Sequence, residues 1–252
     1  MSSIAVTMTN AQVFLWIALP YLSIAIFVVG HIWRYRRDQF GWTSRSTQLL
    51  ERRLLAWGSP MFHYGALAVI GGHILGILIP ASVTGAIGID EHAYHLIAMY
   101  AGNVSGWICA IGLIILIYRR VKVDRITHAT SRVDLLVYFM LLVMIGLGMA
   151  DTVGANTIGS SYNYRESVAV WFRGIFSFEP HVALMVHAPF EYKAHAVAAW
   201  VFFALFPFSR LVHVWSFPLQ YLGRPYILYR RRFPTHRRGR LVALYRRRYA
   251  AD

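Results

Sequence analysis

SPMFHYGALAVIGGHILGILIP, residues 59–80, contains no Asp, Glu, Lys or Arg, yet it carries two histidines ten residues apart, His63 and His73. A helix needs roughly 20 mostly apolar residues to cross a bilayer, and this stretch supplies them. The rest of the chain agrees: 57% of residues are apolar and 15% aromatic, and the mean hydropathy is +0.47. Ala11–Trp33, Leu54–Ile89 and Ala93–Tyr118 are free of charged side chains, Leu135–Ala150 is a shorter segment of the same kind, and a fifth runs from Ala194 past Arg210 to Leu219. The expected fold is an all-α integral membrane protein, a five-transmembrane-helix bundle. Residues 1–10 form an N-terminal extension, 11–229 the membrane domain and 230–252 a basic tail.

Charge orients the bundle. Residues 34–53 carry six Arg against Asp38 and Glu51, and residues 119–134 carry four Arg and one Lys against two Asp. The intervening segments are acidic or balanced: residues 81–92 hold Asp90 and Glu91, and residues 151–193 hold three basic and four acidic side chains. Basic loops stay in the cytoplasm, so the amino terminus is expected outside and the tail inside. The net charge of +14 is therefore read as topology and attraction to acidic lipid, with no nucleic acid partner. The single cysteine, Cys109, lies inside an apolar segment, which excludes an internal disulfide.

The expected helices are about 11–33 inward, 57–80 outward, 93–118 inward, 132–152 outward and 192–217 inward. SVAVWFRGIFSFEPHVALMVHAPF (167–190) then falls in an external loop, rich in the aromatic residues that favour an interface. His31, beside Trp33 and Arg34, reads as an anchor at the inner interface.

Ionisable groups in spanning segments are rare and default to function, although any one of them can be a neutral imidazole bonded to a neighbouring helix. Four occur here: His63 and His73 on the second helix, His195 and His213 on the fifth. Those helices run in opposite directions, which pairs His63 with His213 near the cytoplasm and His73 with His195 near the outside. At 1.5 Å per residue the depth steps are about 15 Å and about 27 Å, a mismatch left to tilt, side-chain reach and a bend at Pro207. Paired imidazoles suit haem iron with both axial positions filled; structural zinc wants four ligands close together. Gly65, Gly72 and Gly76 lie within about 40° on a helical wheel, a strip that could admit a macrocycle or equally a packed helix. Arg119, Arg120 and Arg210 mark the inner end and could pair with haem propionates, or, for the first two, only signal topology.

FFALFPFSRLVHVWSFPLQYL (202–222), with MFHYGALAVIGGHILG (61–76) and MYAGNVSGWICAIGLIILIYRR (99–120), resembles the gamma subunit of respiratory nitrate reductase, the dihaem b-type membrane anchor. The resemblance covers about residues 11–229 and does not include the basic tail. It implies two haem b groups, with His63 and His213 as inner ligands and His73 and His195 as outer ligands. It further implies quinol oxidation near the outer face, an iron-sulfur beta subunit, a molybdenum-containing alpha subunit and residence in the bacterial cytoplasmic membrane. Such inward electron flow works against the membrane potential at about 2.3 kcal/mol per charge per 100 mV. One departure is the loop before the third helix, GIDEHAYHLIAMY, which lacks the lysine that the family associates with quinol. Tyr94, His95 and His92 are the candidate quinol contacts, and the change could accompany menaquinol in place of ubiquinol. Two other readings remain open: an anchor for a different cytoplasmic reductase, and a haem-free transporter with a histidine relay.

Overall fold

The computed structural model describes residues 8–158 and 162–216; the basic tail, 230–252, lies outside them, as does most of the N-terminal extension. The described chain is helical. Four helices are long and apolar enough to cross a membrane: α1 (Asn10–Arg37), α2 (Arg53–Leu78), α3 (Glu91–Lys122) and α4 (Arg132–Gly154). Only 11–22% of their most apolar windows is buried inside the protein. Leu22, Val29, Leu67, Ile70, Val104, Ile114, Phe139 and Leu142 are all exposed, an apolar exterior suited to lipid. This is a membrane protein.

Each long helix starts on a cap visible in the sequence or ends on one supplied from far away. Thr9 and Gln12 form a reciprocal capping box at α1, Asp90 accepts the Ala93 N–H at the start of α3 (2.7 Å), and Ser131 and Asp134 close a second box on α4. Each satisfies N–H groups that have no intrahelical acceptor. Pro20 cannot donate to the Trp16 carbonyl four residues back; the indole Nε1–H of Trp171 bonds that carbonyl instead, at 3.0 Å. Trp171 belongs to α5 (Val168–Phe176), a short helix with Val168, Ala169, Trp171, Gly174 and Ile175 buried. It joins Trp16, Val182, Met185, Tyr192 and Trp200 in one aromatic-rich cluster. Arg173 of α5 also donates to the Ile77 carbonyl at 2.7 Å, capping α2. The long loop after α4 is thus a packed cover over that end of the bundle.

The fifth expected helix is shorter than its sequence suggested. α6 (Phe190–Leu205) gives way to a 3₁₀ turn at Phe206–Phe208, Ser209 is extended, and a second 3₁₀ segment runs Arg210–Ser216. The cause is Pro207, which has no N–H and cannot continue the helix. Arg34 on α1 gathers the carbonyls released there: its Nη1 donates to Pro207 O at 2.7 Å and Ser209 O at 2.8 Å, and its Nη2 to Gly41 O at 2.9 Å. Gly30 permits the approach, because a Cβ there would lie 2.8 Å from the Pro207 ring.

α2 and α3 make the closest helix pair, through a seam of small residues. A Cβ on Gly65 would stand 2.6 Å from the Cys109 backbone nitrogen, and one on Gly112 would meet the Phe62 backbone. Close backbone approach of this kind replaces hydrophobic driving force in a bilayer. Gly65→Val should therefore destabilise the detergent-solubilised protein by about 1–3 kcal/mol, the usual cost of overpacking. Gly71→Ala, where no neighbour lies within 4 Å, should change the denaturation midpoint little. Equal effects of the two in a chemical denaturation series would refute the seam.

Candidate functional site

The structure brings the four membrane histidines together as two pairs. The ring centroids of His63 and His213 are 6.2 Å apart, and those of His73 and His195 are 5.9 Å apart. α2 and α6 supply three of the four, and the broken segment after α6 supplies His213. Between His195 and His213 lie the end of α6 at Leu205, a 3₁₀ turn and the extended Ser209.

Every one of the four rings is anchored through Nδ1. His63 Nδ1 bonds Ser59 O at 2.7 Å, His73 Nδ1 bonds Val69 O at 2.8 Å and His213 Nδ1 bonds Arg210 O at 2.6 Å. His195 Nδ1 bonds Asp151 Oδ2 at 2.9 Å. A carbonyl or carboxylate oxygen accepts, so each Nδ1 is the donor, and in the neutral ring the lone pair is then on Nε2. That is the tautomer a metal ligand needs. His31 differs: its Nδ1 bonds Phe27 O at 2.6 Å, but its Nε2 accepts the Trp215 indole N–H at 3.1 Å. It packs among Phe27, Trp42, Phe206 and Trp215 as a structural residue.

The spacing of each pair is compatible with two imidazoles sharing one metal ion. Two imidazoles bound on opposite sides of a metal at about 2.0–2.1 Å have ring centroids about 6 Å apart, which matches both spacings. Among the described residues no group of three or more His, Cys, Asp or Glu could hold a metal ion, so a tetrahedral protein-only site has no donors here. No neighbour lies within 4 Å of where a side chain would begin at Gly71, Gly72 or Gly146, and His63 and His73 are exposed.

The glycine strip expected along α2 divides by task. Gly65 is spent on the α3 seam, Gly72 opens to free space, and Gly76 lies against the hydroxyls of Tyr94 and Tyr164. The arginines are similarly occupied. Arg119, buried, pairs with Glu51 at 2.6 Å and also bonds Thr47 O and Glu51 O. Arg210 makes a two-pronged pair with Asp134, one arm at 2.6 Å. Arg120 reaches Thr130 Oγ1 at 3.0 Å and stacks over Tyr138, while its Nε is buried without a hydrogen-bond partner.

Of the candidate quinol contacts, Tyr94 is buried, His95 half-buried and His92 exposed. Tyr94 Oη lies 2.6 Å from Tyr164 Oη, and the Arg165 guanidinium sits 3.9 Å over the Tyr94 ring while pairing with Glu91 at 2.7 Å. Burial, and then the Tyr94 hydroxyl, push the Tyr164 phenol well above its ordinary range. Sequence reading missed Tyr164, Arg165, Arg34, Asp134 and Asp151. Asp151 was open to discovery by depth alone: it ends the fourth apolar segment at the level where the fifth begins, opposite His195.

Helices of lipid-crossing length, sealed at one end by a loop cover and carrying two facing histidine pairs, define a helical membrane protein with two candidate metal sites. Residues 12–232 match the family model described as nitrate reductase gamma subunit. The nitrate reductase gamma chain of Bacillus subtilis is 47% identical over 218 residues, 86% of this chain and 97% of that one. The respiratory nitrate reductase 1 gamma chain of Escherichia coli is 32% identical, with 84% and 94% covered. A nitrate reductase-like protein, NarX, of Mycobacterium tuberculosis is 46% identical over 86% of this chain, which spans 33% of it. The chain belongs to the nitrate reductase gamma subunit family, and is a membrane subunit of that oxidoreductase complex.

Glu51 gives the basic end a pH signature. Burial pushes its carboxyl up, but the hydrogen bonds from Leu54 N–H and from Arg119 outweigh this and leave it below its usual range. A carboxyl lowered in the folded state stabilises fully above its ordinary value of about 4.3 and loses that contribution as pH falls through the lowered value. Melting temperatures of solubilised protein should therefore fall on the acid side, and Glu51→Gln should flatten that limb while lowering stability at pH 7. An unchanged acid limb in the variant would assign the loss to other groups.

Proposed function

We propose that this chain is the dihaem b-type subunit through which quinol reduces a bacterial nitrate reductase. The two pairs of facing histidine rings, each ring tied through Nδ1, are the observation that carries this reading. His63 and His213 hold the inner haem iron, and His73 and His195 the outer one. Held by these four residues, haem would supply reversible one-electron transfer. The fixed tautomers count against a proton relay, in which each ring must exchange its N–H.

The chain crosses the cytoplasmic membrane five times, with its amino terminus outside. The alternation of basic and acidic loops supports that count, and α6 with the turns to Ser216 supplies the fifth crossing. Membership of the family supports assembly with the other nitrate reductase subunits: an iron-sulfur beta subunit at the inner face and a molybdenum-containing alpha subunit beyond it. Nitrate chemistry belongs to those subunits.

The protein's own residues do three things in this scheme. They hold the ligand rings at fixed orientation through Nδ1. At the inner end Arg119 and Arg210 are ion-paired to Glu51 and Asp134, so Arg120, with a buried donor to spare, is the propionate partner. At the outer end the hydroxyls of Tyr94 and Tyr164 lie against Gly76, one turn beyond His73, where one of them can donate to a quinol oxygen. His95 and then His92 lead from that buried pair toward the exposed surface, and imidazole at neutral pH can accept the released protons. Menaquinol and ubiquinol share the quinol oxygens such donors would meet.

The test uses membranes containing the whole complex. Quinol should reduce a b-type absorbance and nitrate should reoxidise it. His63→Ala and His213→Ala should each remove the same haem, and His73→Ala and His195→Ala the other, read by redox titration of the optical spectrum. If the members of one pair remove different haems, the pairing is wrong. Tyr94→Phe should raise the quinol KM by a few-fold to about tenfold, the worth of one hydrogen bond at about 0.5–1.5 kcal/mol. Nitrate reduction by an artificial donor acting directly on the partner subunits should be unchanged.

A further inference from the structure

The two histidine pairs are not chemically equivalent. Three of the four Nδ1–H groups donate to backbone carbonyls, those of Ser59, Val69 and Arg210. The fourth, on His195, donates to the Asp151 carboxylate at 2.9 Å. Both side chains are mostly shielded, at 16% exposure for His195 and 12% for Asp151. We propose that Asp151 is a positioning and tuning residue that makes His195 the most electron-donating of the four ligands and so lowers the reduction potential at the His73–His195 site. The inference rests on the haem reading above.

The local structure is arranged around this contact. α4 passes His195 at Gly148, where a Cβ would stand 2.9 Å from the imidazole Cε1, so only glycine lets the ring lie against the helix. Immediately after, at Ala150–Ile158, the helix widens into a π form. Such a change of winding alters the direction in which a side chain leaves the axis and recurs at functional positions. It falls where Asp151, one turn beyond Gly148, meets the ring nitrogen. Thr152 Oγ1 donates to Gly148 O at 2.9 Å, which ties the two sides of that turn together.

The chemical effect follows from charge. A carboxylate pulls the Nδ1 proton more strongly than a neutral carbonyl does, which gives the ring more imidazolate character and raises the basicity of Nε2. A more basic axial ligand favours the oxidised metal, and hydrogen bonding beyond the ligands is one of the levers that set haem potentials. The Ser59 and Arg210 carbonyls that bind His63 and His213 carry no such charge. Among the described Nδ1 contacts, the carboxylate falls on the His73–His195 site.

The experiment is redox titration of the assembled complex in membranes, monitored by optical spectrum and low-spin ferric EPR, for the unaltered chain, Asp151→Asn and Asp151→Glu. The unaltered chain is measured first. Absence of any b-type spectrum there would sink the haem reading itself, before any variant is made. With both haems present, Asp151→Asn should shift the reduction equilibrium at the His73–His195 site about tenfold toward the reduced form, about 59 mV for a one-electron couple. The other haem should not move, and Asp151→Glu should return the potential toward its original value. An unchanged or lowered potential in Asp151→Asn overturns the proposal, as does a shift shared equally by both haems. Should Asp151→Asn lose the haem, Asp151→Glu decides: recovery at the original potential supports tuning. Loss in both variants overturns it in favour of a role in assembly alone.

Discussion

An imidazole in an apolar helix must find a partner for its ring N–H, and the hydrogen bond from Nδ1 does this within a turn or to a neighbouring carboxylate. The remaining arrangement depends on it. His63 and His73 reach back four residues to Ser59 and Val69, so their rings are held against their own helix and Nε2 points away from it. His213 reaches Arg210 O across a 3₁₀ turn, with the same chemical result from a different backbone. The polar group that would be a liability in hydrocarbon is held in one orientation, and two such rings meet at each of two places.

The bundle around these pairs is held by groups that satisfy one another at its ends. At the basic end, three arginines each solve a different problem. Arg34 collects carbonyls freed by Pro207, Arg119 pins the 47–51 turn through Glu51 and Thr47, and Arg210 joins the last segment to the first turn of α4 through Asp134. At the other end, Trp171 and Arg173 of α5 serve carbonyls of α1 and α2. Between the ends, close backbone approach at Gly65 and Gly112 and lipid-facing apolar side chains suffice.

The first three spans were legible as uncharged runs of sufficient length, and the pairing of histidines followed from antiparallel direction alone. What stayed hidden has a common physical reason. Asp151, Asp134 and Arg34 sit at the margins of apolar segments, where a charge reads as a loop or a topology signal. Their partners, His195, Arg210 and the Pro207 carbonyl, lie far along the chain. Pro207 was read as a bend, but the sequence offered no way to see that the helix stops there and that Arg34 receives the broken end. Gly65 and Gly72 are indistinguishable by spacing; only the neighbouring helix separates a packing seam from an open face.

The break at Ser209 has a consequence for biosynthesis. Each histidine pair joins α2, made early, to a segment made late, and the segment that carries His213 is tied to the first helix through Arg34 and to α4 through Asp134. Neither pair can close on a nascent chain that stops before Phe190, however many helices it has already inserted. Both pairs therefore need the chain as far as His213, and a subunit truncated before Phe190 presents His63 and His73 without their partners.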